Sequence, residues 1–220
     1  MEVAELAPGL WRWTATHPDW KDGYDWSPVV GCFYAETDEA TLVIDPLVPG
    51  DEAERFWSAL DRDVERRGLP VAVLLTEAAH ARSSGEVAAR YGADVWGHEE
   101  ARGKVGGADF HAVRAGDLVP GGAGVLDEGY EGGSGTPLFL PSHGALAPGD
   151  AIVEVAGELR VWWVFEGEED ERRYRERCLP ALRRWLELPI ERVLVSHGEQ
   201  RSFERADVAA ALDQHPWAGA

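Results

Sequence analysis

The sequence predicts a mixed α/β fold of the α+β kind, and three observations carry that prediction. Runs that alternate large apolar with polar residues give strands, amphipathic stretches at helical spacing give helices, and the two follow one another in a repeated order. That order is strands, helix, βαβ, then strands, helix, strand, helix, so each half combines a meander with helices. No linker separates the halves, and residues 1–220 are expected to form a single domain around one core. With 45% hydrophobic residues and 10 tryptophans, the chain has ample material for that core.

Taken in order, "GLWRWTAT", "VVGCFYAE" and "ATLVIDP" read as a β-meander, the last ending on Asp45 and Pro46. Asp51 with Glu54 forms a capping-box pattern ahead of "AERFWSALDRDVERRG", where Phe56, Leu60 and Val64 recur at helical spacing and Gly68 marks the end. "VAVLLT" is a continuous apolar run of buried-strand type, Ser83 with Glu86 is a second capping box, and "ADVW" after Gly92 is a short strand. Residues 103–135 are Gly-rich, with short candidate strands at "FHAVRAG" and "GVLDEG". Further on, Ser142 to Gly144 and Gly157 are expected to turn two hairpins. Residues 168–188 predict a helix, acidic at its start and basic at its end, which Pro180 should kink or split. "RVLVSHG" predicts a strand running into a loop, followed by a helix over 203–213.

The formal charge of -19 argues against nucleic acid, because binding a polyanion needs clustered cations to displace its counterions. Arginines instead sit among acids, as in "DRDVERRG" and "EEDERRYRER", which reads as solvated helix faces. Apolar runs such as "VAVLL" fall far short of the ~20 residues of a membrane span, so no membrane association is expected. The opening "MEVAELAPGL" lacks a basic segment followed by an apolar run, so a cytoplasmic location is expected. Cys32 and Cys178 show no CxxC spacing and read as buried small apolar residues.

The stretch "LLTEAAHARSSGEVAARYGADVW" joins an apolar strand to a helix through a loop with one histidine, His80. Together with "LAPGLWRW", "TLVIDP", "LFLPSHGALAPGD" and "VLVSHG", it resembles, in order and approximate spacing, the metallo-β-lactamase superfamily over nearly the whole chain. The resemblance implies a four-layer αββα sandwich with a one- or two-zinc hydrolytic site on loops at one edge of the sheets. It also implies a first metal loop of pattern T-H-x-H-x-D-H-x-G. Thr76 matches its threonine, but the ligand positions fall on Glu77, Ala79, Ala81 and Arg82. Alanine has no donor atom and arginine is permanently protonated, so that loop cannot act as the family's does. The family's third histidine corresponds to Tyr130 in "GYEGGS", its bridging aspartate to Asp150 in "APGD" and its last histidine to His197.

From this set the expectation is a polar pocket of Glu77, His80, Arg82, Tyr130, Asp150 and His197 without a metal cofactor, in a non-metal binding or regulatory relative of the hydrolases. The alternative is an ester, thioester or lactam hydrolase with a single zinc on Glu77, His80, Asp150 and His197. Arg82 is expected to fork onto Asp150 or Glu77, supplying the positive charge that a metal would have brought. His17, His98, His111, His143 and His215 read as surface or turn residues, and Ser83 as a cap rather than a nucleophile. The aromatic stretch "WRWTATHPDWKDGYDW" is either a lid over the groove, gripping a small-molecule ligand or a partner, or cover for a sheet edge. A third class of function, an interaction module, would use this same stretch.

Overall fold

In the computed structural model, which describes residues 1–24, 26–130, 132–199 and 202–219, alternate residues of the long strands serve two different cores. Asp25 of the aromatic stretch and Glu131 of the "GYEGGS" turn lie outside the described residues. Strands β1 (Val3–Ala7), β2 (Leu10–Thr16), β3 (Val29–Glu36) and β4 (Thr41–Ile44) run antiparallel. They continue through parallel β5 (Val71–Leu74), β6 (Asp94–Gly97) and β7 (Phe110–Ala112) into one seven-stranded sheet in sequence order. Helices α1 (Ala53–Arg67) and α2 (Ser84–Tyr91) are the crossovers between its parallel strands.

The second sheet has the order β14-β11-β10-β9-β8, formed by β8 (Leu118–Val119), β9 (Ala123–Val125), β10 (Leu138–Leu140), β11 (Ala145–Ala147) and β14 (Arg192–Val193). A separate hairpin pairs β12 (Ile152–Val155) with β13 (Glu158–Val161). Phe33, Leu42, Ile44 and Leu74 meet Leu138, Leu140 and Leu194 between the sheets. Their neighbours in the chain, Cys32, Tyr34, Val43 and Val73, point the other way and pack with Phe56 and Leu60 of α1 and Val87 of α2. Beyond the second sheet, Phe139 and Leu146 pack against Tyr174, Leu182, Trp185, Val208 and Leu212. These last come from the helical run through α3 (Glu168–Arg173) and α4 (Leu179–Arg184), and from α5 (Arg205–Asp213). The layers are therefore helix, sheet, sheet, helix, as expected. Cys32 and Cys178 are buried free thiols.

Three local expectations change. The Asp51 cap is not made, because a 3₁₀ turn over Gly50–Glu52 already winds the chain and Glu52 becomes the helix-capping position, without a side-chain bond. Ser83 precedes α2 with φ −90° and ψ 17°, not the extended backbone of a capping serine, and its Oγ instead accepts the Val48 N–H at 3.1 Å. The helix around Pro180 changes winding upstream of the proline, at a π-turn over Tyr174–Cys178. A proline ring collides with the carbonyl four residues back, and a widened turn accommodates it.

The segment "RVLVSHG" is only briefly a strand, but its backbone ties the two sheets together. Arg192 and Val193 pair with β11, then Ser196 accepts the Gly31 N–H at 2.8 Å and His197 bridges to Val30 of β3. This places His197 where the sheets converge. His143, expected on the surface or in a turn, is in a turn but is buried, with Nε2 at 2.8 Å from the Glu36 carbonyl.

Candidate metal centre

Asp45 closes β4 with φ 49° and is completely buried. A buried carboxylate must be satisfied by donors, and here they come from three segments. Oδ1 accepts the Thr76 N–H at 2.8 Å, while Oδ2 accepts the Thr76 and Ser196 hydroxyls and lies 3.0 Å from His80 Nδ1. Burial would raise the pKa of Asp45, but His80, Arg82 and Thr76 outweigh it and hold the carboxyl below its usual range.

His80 lies on a 3₁₀ turn over Ala78–Ala81 that begins at Glu77. Such a turn has about three residues per revolution, which aligns Glu77 and His80 on one side. With Nδ1 committed to Asp45, Nε2 is left facing Asp150 Oδ1 at 3.2 Å, and His197 Nε2 reaches the same oxygen at 3.4 Å. Neither contact meets hydrogen-bond geometry, and Asp150 Oδ1 is buried without a hydrogen-bond partner. Asp150 is held well below the usual carboxylate range: burial opposes this, but the two imidazoles prevail. Burial and Arg82 both disfavour protonated His80, yet Asp150 and Asp45 push it up to about 9.

The donor set fits a divalent ion. One ligand atom from each of His80, Asp150 and His197 can be chosen so that all lie within 4.8 Å of one another. Bonds of about 2.1 Å at the tetrahedral angle put ligand atoms about 3.4 Å apart, which agrees with the observed 3.2 and 3.4 Å. Two imidazoles and a carboxylate are also the residue types that zinc takes. The expectation of no metal cofactor is therefore corrected: a His–Asp–His group able to hold an ion is present, because His80 reaches the site from a position one residue away from the expected ligands.

The remaining expected residues are placed around this group. The Glu77 carboxylate accepts the Ala78 N–H at 2.8 Å and the Ser134 hydroxyl, and burial raises its pKa. Tyr130 is exposed and meets Trp163 edge-on at 4.9 Å. Arg82, with φ 33°, donates to the Asp45 carbonyl at 3.3 Å and makes no ion pair with Asp150 or Glu77. Its expected charge-replacing fork is absent because the strained C-terminal end of the 3₁₀ turn directs the guanidinium toward the end of β4.

Two clefts flank the group. One, of about 660 Å³, is lined by Glu77, Glu128, Tyr130, Asp150 and Trp163; the other, of about 1070 Å³, by Arg12, Trp26, His197 and Trp217, with Trp162 bordering both. Trp26 of the aromatic stretch meets His197 edge-on at 5.1 Å, whereas Trp13 is buried and donates to the Leu47 carbonyl at 2.9 Å. Sequence reasoning missed Asp45, although an acid at the C-terminal end of an otherwise apolar strand was the available signal. It also missed Glu128, whose carboxyl is pushed up to about 7 by burial and by Glu77 and Asp150.

No family model and no curated protein sequence matches the chain. Solved structures do. A metallo-beta-lactamase from Pontibacter korlensis superposes with a TM-score of 0.64 at 17% identity, over 97% of this chain and 99% of that one. A metallo-beta-lactamase family protein from Thermus thermophilus gives a TM-score of 0.59 at 19% identity, over 95% of this chain and 78% of that one. The flavodiiron protein from Giardia intestinalis gives 0.64 at 14% identity, over 96% of this chain and 58% of that longer one. No helix is long and apolar enough to cross a membrane among the described residues. At these identities the likeness establishes architecture, and together with the four layers it shows that the chain has the metallo-β-lactamase fold.

Proposed function

We propose that the chain is a hydrolase of the metallo-β-lactamase type that works with one divalent ion, zinc by its donor set, held by His80, Asp150 and His197. The observation that supports this most is the buried Asp150 oxygen, which has no hydrogen bond and faces two imidazole nitrogens at ligand-to-ligand distances. One ion in place of two follows from Ala79 and Ala81, which supply no donor, and from Arg82, which supplies only a cation. A bound divalent ion acts as a Lewis acid toward an acyl oxygen and toward water, which suits an ester, thioester or lactam.

The chain's own residues have separable tasks. Asp45 accepts the Nδ1–H of His80 and so presents Nε2 to the site in one tautomer. Ser196, next to the ligand His197, is tied to the same carboxylate at 3.3 Å. Glu77, whose pKa burial raises, lines the smaller cleft beside Asp150 and can hold or release a proton at its carboxyl oxygen. Trp26 and Trp162 stand edge-on to His197 at 5.1 and 6.0 Å and limit water there.

Elemental analysis tests the reading. Protein purified without chelator, incubated with zinc and desalted should retain close to one ion per chain, and Asp150→Ala or His197→Ala should lose it. Retention below about 0.2 ion per native chain would refute the reading. Loaded protein should then hydrolyse at least one of an aryl ester, a thioester or a β-lactam, with Glu77→Gln slowed and its zinc retained.

A further inference from the structure

The larger cleft contains a buried cation that forms no close ion pair among the described residues. Arg12 lies on the face of β2 that it shares with Leu10 and Thr14, and only 9% of the residue is exposed. One Nη2–H donates to the Gly198 carbonyl at 3.2 Å, and Nε has no partner. Nη1 carries no hydrogen bond, and unlike Nε it is not sealed from the cleft. Arg12 forms no ion pair among the described residues, in a chain with 40 acidic residues against 21 Lys and Arg. Glu2 acts on it only from beyond ion-pair distance, and burial outweighs that help. Where carboxylates are this abundant, a buried arginine without a close partner is a chemical signal, because a poorly compensated buried charge is costly.

The surroundings hold this guanidinium in place. A Cβ on Gly31 would fall 2.9 Å from Arg12 Nε and 2.8 Å from the Val195 carbonyl, so only glycine leaves room there. The aromatic wall beside it is formed by Trp26, Trp162 and Trp217, the last two with ring centres 5.7 Å apart. Glu154, also on the rim, is occupied: its carboxylate accepts the N–H groups of Gly157 and of Glu199, the latter at 2.6 Å. Glu2 and Glu199 complete an acidic rim that would repel a dianion.

We propose that this cleft binds a small organic monocarboxylate. Its carboxylate pairs with the open Nη1 side of Arg12 and its apolar body lies against Trp26, Trp162 and Trp217. A cleft of about 1070 Å³ is large enough for such a ligand. A single guanidinium inside an acidic rim matches one negative charge rather than the two of a phosphate monoester. The proposal stands independently of the metal reading, since it needs neither the ion nor turnover.

Calorimetric titration of the full chain in EDTA tests it with 3-phenylpropanoate, its neutral amide and phenyl phosphate. The acid should bind at least tenfold more tightly than the amide and than phenyl phosphate. Arg12→Met, checked for folding by circular dichroism, should reduce the acid to the level of the amide. Trp217→Ala should weaken acid and amide together. If Arg12→Met does not fold, the acid-to-amide ratio of the native chain decides alone. Equal affinities, no heat from the acid up to about 10 mM, tighter binding of phenyl phosphate, or a preference that survives Arg12→Met would each overturn the proposal. So would a preference that arises only when zinc is added, since the carboxylate would then sit on the ion.

Discussion

Asp45 Oδ2 and His80 Nδ1 lie 3.0 Å apart, joining the C-terminal end of β4 to the turn after β5 and aiming the other imidazole nitrogen at Asp150. Carboxylate partners of this kind fix the tautomer and raise the basicity of a ligand histidine. Asp45→Asn should therefore weaken zinc binding by roughly 10- to 100-fold while leaving His80 in place. Competition with a chromophoric chelator measures this, and unchanged affinity would remove Asp45 from the role.

Metal-free protein should lose stability as the solution becomes alkaline. His80 is pushed up to about 9 in the fold, against about 6.5 in an unfolded chain, so between these values the folded state binds more protons. The sign follows: the contribution is full below about pH 6.5 and is lost as pH rises through about 9. Denaturant titrations in EDTA from pH 6 to pH 10 should show this decline, and His80→Gln should flatten it. In the same range zinc should bind more tightly as pH rises, because the ligand nitrogen must be unprotonated.

Glu128 gives a second pH dependence. Burial comes first among the causes that push its carboxyl up to about 7, with Glu77 and Asp150 adding to it. Its contribution to stability is present below the ordinary carboxyl value of about 4.3 and is lost as pH rises through about 7. Glu128→Gln should accordingly raise the melting temperature at pH 8 by several degrees and change it little at pH 4. A gain of equal size at both values would show that charge is not the cause.

Gly149 positions the next residue, Asp150. Its φ is +60°, and a Cβ there would come 2.8 Å from the Thr76 carbonyl. Gly149→Ala should cost roughly 1–3 kcal/mol of stability and should reduce zinc binding by displacing Asp150 from the two histidines. Chemical denaturation and zinc titration of the same variant check both effects.

Ser83 tests the reassigned cap. Because its hydroxyl accepts the Val48 N–H, Ser83→Ala should cost about 1–2 kcal/mol, whereas Glu86→Ala, which a capping box would make comparably costly, should have little effect.

Much of this molecule was legible from residues alone. The β-branched and aromatic run "VVGCFYAE" and the continuous apolar run "VAVLLT" identify strands, and both are buried on two faces, because successive side chains point to opposite sides of the sheet. The same holds for α1, whose Phe56 and Leu60 are buried and whose end is Gly68 in the left-handed region. The two capping boxes failed because a cap depends on the backbone angle of one residue, which the preceding loop sets.

The candidate site divides in the same way. Asp150 and His197 were identifiable because each follows a recognisable strand or hairpin and keeps its residue type. Which side chain completes the set was decided by folding. A linear comparison of the turn after β5 assigns Glu77, Ala79, Ala81 and Arg82 to the ligand positions, whereas the 3₁₀ winding brings His80 to face Asp150 and turns Arg82 toward the Asp45 carbonyl. The sequence by itself determined the layers and the residue types near the site, since both follow from local periodicity and strand ends. Only the tertiary structure decided that His80 meets His197 across Asp150. That contact joins residues 117 positions apart, and a shared buried carboxylate, Asp45, fixes its geometry.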